Sequence, residues 1–121
     1  MNKIISNTLK ELKVTPAVIG YDYLRCAIKL TMEKPKIVHT LTKELYPAVA
    51  RQFGTTSTRV ERAMRHAIEL AWSDYITPAQ ERIFRATVKS DQGKPTNGMF
   101  IATVADYLLI NTMGEDNSGS K

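Results

Sequence analysis

Apolar residues recur three and four places apart along most of this chain, and no long run alternates apolar with polar. That period is helical, so the pattern predicts an all-α protein. Ile4, Ile5, Leu9 and Leu12 share one face of a first helix, which Thr15-Pro16 breaks. Tyr21, Leu24, Ala27, Ile28 and Met32 mark a second, ending near Lys34-Pro35. A third is expected from about Ile37 to Leu45, with Pro47 suited to the first turn of the next short helix. Thr77-Pro78 can open a short helix over Ala79 to Phe84. Thr96 or Asn97 caps a last helix that buries Phe100, Ile101, Val104, Ala105, Leu108 and Leu109. Lys89 to Pro95 reads as a polar loop, with a weak hairpin-like wing around Arg85 to Lys94. The Gly/Ser/Asp-rich end, residues 114–121, reads as a disordered tail after a domain of residues 1–113. The fold class expected is all-α: about six helices, winged-helix-like, containing a helix-turn-helix.

The most specific stretch is Tyr46 to Trp72. Val49, Ala50 and Phe53 place apolar groups on one face of a short helix. Ala50 is small enough for a steep helix crossing, and Gly54 supplies a turn with φ > 0 at no steric cost. A second helix, about residues 57–72, carries Val60, Ala63, Met64, Ala67, Ile68 and Ala71 at helical spacing. Thr58 and Glu61 form a candidate capping box at its start. Its outer face holds Thr56, Ser57, Thr58, Glu61, Arg62, Arg65 and His66. A charged helix face is usually just a solvated one. Here the small residue, the glycine and the apolar positions together match a helix-turn-helix that enters the major groove. Arginine donates twice to guanine and glutamate accepts from cytosine, so Glu61 and Arg62 are the candidate base readers. The helix N-terminus suits a phosphate.

Composition agrees without deciding. Seventeen Lys and Arg against twelve Asp and Glu give +5, which favours a polyanionic partner. Arg51, Arg59, Arg62, Arg65, Arg82, Arg85 and Lys89 are candidate phosphate contacts. Hydrophobic residues at 43% and charged residues at 24% over 121 residues describe one ordinary globular domain. No apolar run is long enough for a membrane span, and the N-terminus lacks a signal-peptide core. A lone Cys26 makes no internal disulfide and is expected to be a buried, inert thiol in a cytoplasmic chain. His66 and Glu69 share a helix face, but no second such pair completes a metal site, and no cofactor motif occurs. Nothing resembles a nucleophile with its base, so no enzyme is expected. A helical protein-binding module and an RNA-binding module are the competing classes.

Four collinear blocks carry a resemblance: Gly20 to Ile28 (GYDYLRCAI), Thr42 to Pro47 (TKELYP), Thr56 to Ser73 (TSTRVERAMRHAIELAWS), and Lys94 to Asp106 around KPTN, FIA and VAD. They resemble the C-terminal effector domain of the stage zero sporulation protein A family of response regulators, across about residues 3 to 110. The resemblance implies a six-helix domain that binds TGTCGAA-like boxes on double-stranded DNA, as activator and repressor of sporulation genes. It implies that Glu61 and Arg62 read bases while Arg59, Arg65 and His66 contact or flank the backbone. It further implies paired binding on tandem sites and contact of the segment from Tyr75 to Val88 with the sigma subunit of RNA polymerase. Tyr75, Ala79, Phe84 and Val88 are the candidates there. Residues 73–88 are more polar and arginine-rich than the family pattern, with an added proline, and the loop Thr15–Gly20 is one residue shorter and lacks a histidine. In the family a phosphorylated receiver domain precedes this module; the 121 residues read as the effector part, excised or stand-alone.

Overall fold

The structure is a computed structural model that describes residues 2–85 and 93–120, with side chains to Thr112. Its helices are α1 (Asn2–Glu11), α2 (Gly20–Glu33), α3 (Tyr46–Phe53), α4 (Ser57–Ala71), α5 (Pro78–Phe84) and α6 (Asn97–Ser120). No strand occurs among the described residues, as the apolar period requires. The wing expected around Arg85 to Lys94 falls largely on residues 86–92, outside those described. α6 runs to Ser120, across most of the residues expected as a tail. Once a helix is nucleated, each added residue gains a hydrogen bond, so weak formers can extend it.

α2 is the central helix, packed against α1, α3, α4 and α6. Its apolar side, Tyr21, Leu24, Ala27 and Ile28, is buried. Gly20 lets α2 lie directly on α4. A Cβ there would collide with the Ala63 carbonyl oxygen and stand 2.8 Å from the Ala67 Cβ. Against α2 lie Ile5 and Leu9 of α1, Val60, Met64, Ala67 and Ile68 of α4, and Phe100, Ile101 and Val104 of α6, all buried. Burial of this kind contributes about 1.5–3 kcal/mol per large side chain. Ile4 departs from expectation at 43% exposure.

α1 stops before Thr15-Pro16. Lys13 adopts φ 69°, while the Val14 N–H donates to the Leu9 carbonyl and the Lys13 N–H to the Lys10 carbonyl. This pairing closes a helix end in the left-handed conformation, here with lysine where glycine is usual.

The single helix expected over Ile37 to Leu45 is two short turns, a 3-10 turn at Pro35–His39 and a π turn at Leu41–Leu45. Thr40 separates them at φ −129°, ψ 54°, its hydroxyl donating to the Ile37 carbonyl at 3.1 Å. A threonine that bonds its local backbone competes with helix in this way. The π turn runs directly into α3.

Candidate nucleic-acid interface

α3, the turn and α4 form the expected helix-turn-helix. Val49 and Ala50 of α3 are buried against α4. Gly54 takes φ 63° and closes α3 through its N–H to the Ala50 carbonyl, which the Thr55 N–H also reaches. Phe53 is not a core residue: it is 43% exposed and sits edge-on to the Tyr23 ring at 5.2 Å.

Thr56, not Thr58, caps α4. Its extended backbone aims the hydroxyl at the Arg59 N–H, 3.2 Å away. The adjacent Thr55, Thr56, Ser57 and Thr58 offer four capping oxygens; Ser57 and Thr58 are already helical, and Thr56, just before them, has the extended backbone a cap requires. With Arg59 and Val60 amides satisfied by Thr56, the first helical amides are those at Ser57 and Thr58. Helix geometry leaves them without intrahelical acceptors, at the positive end of the helix dipole.

Along α4 the stripes separate cleanly. Val60, Met64, Ala67, Ile68 and Ala71 are buried. Thr58, Arg59, Arg62, Arg65, His66 and Glu69 are exposed, with Thr56 just before them and Ser57 and Glu61 half-buried at the edge. Ala63 is half-buried, its carbonyl under Gly20 of α2, so its grip is on α2 as well as α3. Glu61 is paired with Arg65 rather than set beside Arg62: Arg65 Nη1 lies 3.2 Å from Glu61 Oε2. No ion pair engages Arg59, Arg62 or His66 among the described residues. Arg51 on α3, Arg82 on α5 and Arg85 just after it are also exposed, Arg85 paired with Glu81 at 3.6 Å.

Two residues of this region carry more than sequence reading assigned. Asn97, the first residue of α6, is buried and donates to Tyr46 Oη at 3.2 Å and to the Glu61 carbonyl at 3.1 Å. The cap expected from Thr96 or Asn97 comes from Thr96, which accepts the Met99 N–H. Tyr46, the first residue of α3, is buried, and that burial raises its hydroxyl pKa above the usual tyrosine value. Lys94 reaches Glu69 at 3.9 Å. Leu41, Tyr46, Glu61, Arg65 and Lys94 with Pro95 to Gly98 line a groove of about 370 Å³ beside α4.

A comparison with models of protein families matches residues 5–108 to the family described as Sporulation initiation factor Spo0A C terminal. The chain belongs to this family. The Spo0A C-terminal family is one of helical, DNA-binding transcription-factor domains of sporulation, and not of enzymes. Its matched span contains every helix start described above from α2 to α6. No described helix is long and apolar enough to cross a membrane.

The Spo0A-type segment after α4 divides inside from outside. Ala79 and Phe84 are core residues at 6% and 2% exposure, so neither side chain offers a contact surface. Phe84 stacks on Phe100 at 5.5 Å and meets Trp72 edge-on at 5.2 Å. Tyr75 is 67% exposed, its ring under Lys13 Nζ at 3.9 Å. Val88 lies outside the described residues. Gln80, unremarked in sequence, is fully buried: its amide donates to the Leu12 and Ala71 carbonyls at 2.9 Å each and accepts the Thr77 N–H. Thr77-x-x-Gln80 is a capping box, and that spacing was the signal for it. Cys26 is half-buried, its thiol donating to Gln52 Oε1 at 3.4 Å, and burial raises its pKa.

Proposed function

We propose that this domain reads double-stranded DNA through the exposed face of α4, laid in the major groove of TGTCGAA-like boxes. The observation that carries this is the exposed Arg62, in no ion pair among the described residues, at the centre of a stripe opposite the buried face of α4. Arg62 donates to guanine O6 and N7, and Glu61 accepts from a cytosine amino group. In the free protein Glu61 holds Arg65. A DNA phosphate competes for that guanidinium, so docking moves Arg65 to the backbone and frees Glu61 to read. Arg59 and His66 take flanking phosphates. The Thr56 hydroxyl accepts the Arg59 N–H and still has its own proton to give. The Ser57 and Thr58 amides meet a phosphate at the helix end. One domain covers a short box, so two copies bind tandem sites.

The test is a titration at fixed salt against a duplex with two tandem TGTCGAA boxes and a scrambled duplex of equal length. A preference for the boxes on the order of 10³-fold supports specific reading. Equal, salt-sensitive binding to both refutes it and favours a second reading, a protein-docking module for the polymerase sigma subunit. Leu70, Tyr75 and Ile76, exposed at 47%, 67% and 47% beside the C-terminal end of α4, speak for that surface.

A further inference from the structure

We propose that Asn97, with Tyr46, is a positioning residue that sets DNA specificity by fixing the seat of α4, an inference that rests on the DNA reading above. α4 is held to the core largely by Val60, Met64, Ala67 and Ile68. Apolar packing is non-directional and tolerates small axial slides and rotations. Hydrogen bonds do not, because their strength falls steeply with distance and angle. The Asn97 amide supplies the directional contact at the N-terminal half of α4, as Gln80 does at its last carbonyl. Its nitrogen donates one hydrogen to the Glu61 carbonyl, immediately before Arg62, and the other to Tyr46 Oη. The first residue of α3, the second turn of α4 and the first residue of α6 thus meet at one buried polar node.

The Glu61 carbonyl has a second lone pair for this bond beyond its place in the helix ladder. Lys94, on the same approach to α6, reaches Glu69 about two turns further along α4. The chain entering α6 therefore holds α4 on both sides of Arg65. A shift of α4 by a fraction of an ångström would misplace Arg62 from a base edge. It would matter little to arginines reaching phosphates, whose long side chains adjust.

The experiment compares the full chain with Asn97→Ala and Tyr46→Phe. Each is titrated at one salt concentration against the tandem-box and scrambled duplexes, with folding checked by a thermal melt. Asn97→Ala is expected to melt cooperatively, to keep its affinity for the scrambled duplex within about 2-fold, and to lose about 10-fold of its preference for the boxes. In single-base substitutions of the box that loss should spread over several positions, since the whole helix moves. Tyr46→Phe should lose about 3-fold. A folded Asn97→Ala that keeps its preference, or loses both affinities in parallel, overturns the proposal. If Asn97→Ala does not fold, Tyr46→Phe decides: an undiminished preference overturns it. Absence of preference in the unsubstituted chain refutes the DNA reading itself and the proposal with it, and is recognised because the defect precedes any substitution.

Discussion

The two ends of α4 are tied down by the same chemistry, a buried carboxamide, to different effect. At the C-terminal end Gln80 bonds the last carbonyl of α4, the carbonyl of Leu12 after α1, and the N-cap amide of α5. Leu12 and Ala71 are buried and Thr77 is half-buried, and the Trp72, Phe84 and Phe100 rings pack at that end. At the N-terminal end Asn97 bonds a carbonyl whose next residue is an exposed arginine. Both amides are satisfied and both rigidify the bundle. What separates them is what the bonded carbonyl leads to: at one end the close of α4 and the start of α5, at the other the exposed stripe that we propose meets DNA. A buried polar group is thus informative about function only through the element it aims.

Gln80→Leu is the most direct way to break that comparison. It leaves the Leu12 and Ala71 carbonyls without their buried donor and removes half of a capping box, and should cost about 3 kcal/mol in urea denaturation. The ratio of box to scrambled affinity should stay unchanged in the folded variant; a changed ratio would show that the C-terminal end also aims the reader. Arg62→Ala reverses the pattern. It should leave stability within about 0.5 kcal/mol and cost about 2 kcal/mol of binding, with discrimination relaxed at one base pair. Uniform weakening across sequences would remove Arg62 as a base reader. Thr56→Ala acts at both levels, losing about 1 kcal/mol of stability through the missing cap, measurable as a lower denaturation midpoint. Arg65→Ala should weaken both duplexes alike and reduce the slope of log K against log salt by about 1. Cys26 offers the smallest effect. Burial raises its pKa, so the folded thiol should alkylate more slowly with iodoacetamide at neutral pH than the same thiol in urea. The sign for stability follows: the contribution is full below the unfolded thiol pKa and is lost as pH rises through the folded one.

Legibility in the sequence tracked how the information is stored. The helices that bury a periodic apolar face, α1, α2, α4 and α6, could be read directly, because 3.6-residue spacing is a property of the chain itself. Gly54 was equally plain, since a positive φ in a tight turn favours glycine. Residues 37–45 were not, because a single threonine hydroxyl bonding backward splits what periodicity alone would join. The α4 cap was misplaced by two residues among neighbouring hydroxyls of similar capping power. Ala79 and Phe84 were named as contacts through the resemblance alone, which carries no information on which side of a short helix faces in; both are buried. Asn97 was seen as a capping candidate, and its two long-range bonds link positions 51 and 36 residues away. No local pattern encodes such a pairing. For the interface, the residue types and their common face were legible, and so was the i,i+4 spacing that pairs Glu61 with Arg65, although it was not used.

The close seat of α2 on α4 at Gly20 has a consequence for how such a domain diversifies. Apart from Glu69, which meets Lys94, the side chains that hold α4 in place and those it turns outward share no position, so outward residues can be exchanged without repacking the interior. The restriction falls on a position far from α4 in sequence: any side chain at position 20 pushes α4 off its seat. On the proposed DNA reading, single changes at 58, 59, 62, 65 or 66 would alter the sequence preferred while leaving the core intact, whereas a side chain at position 20 would disturb the seat of α4 from the opposite side.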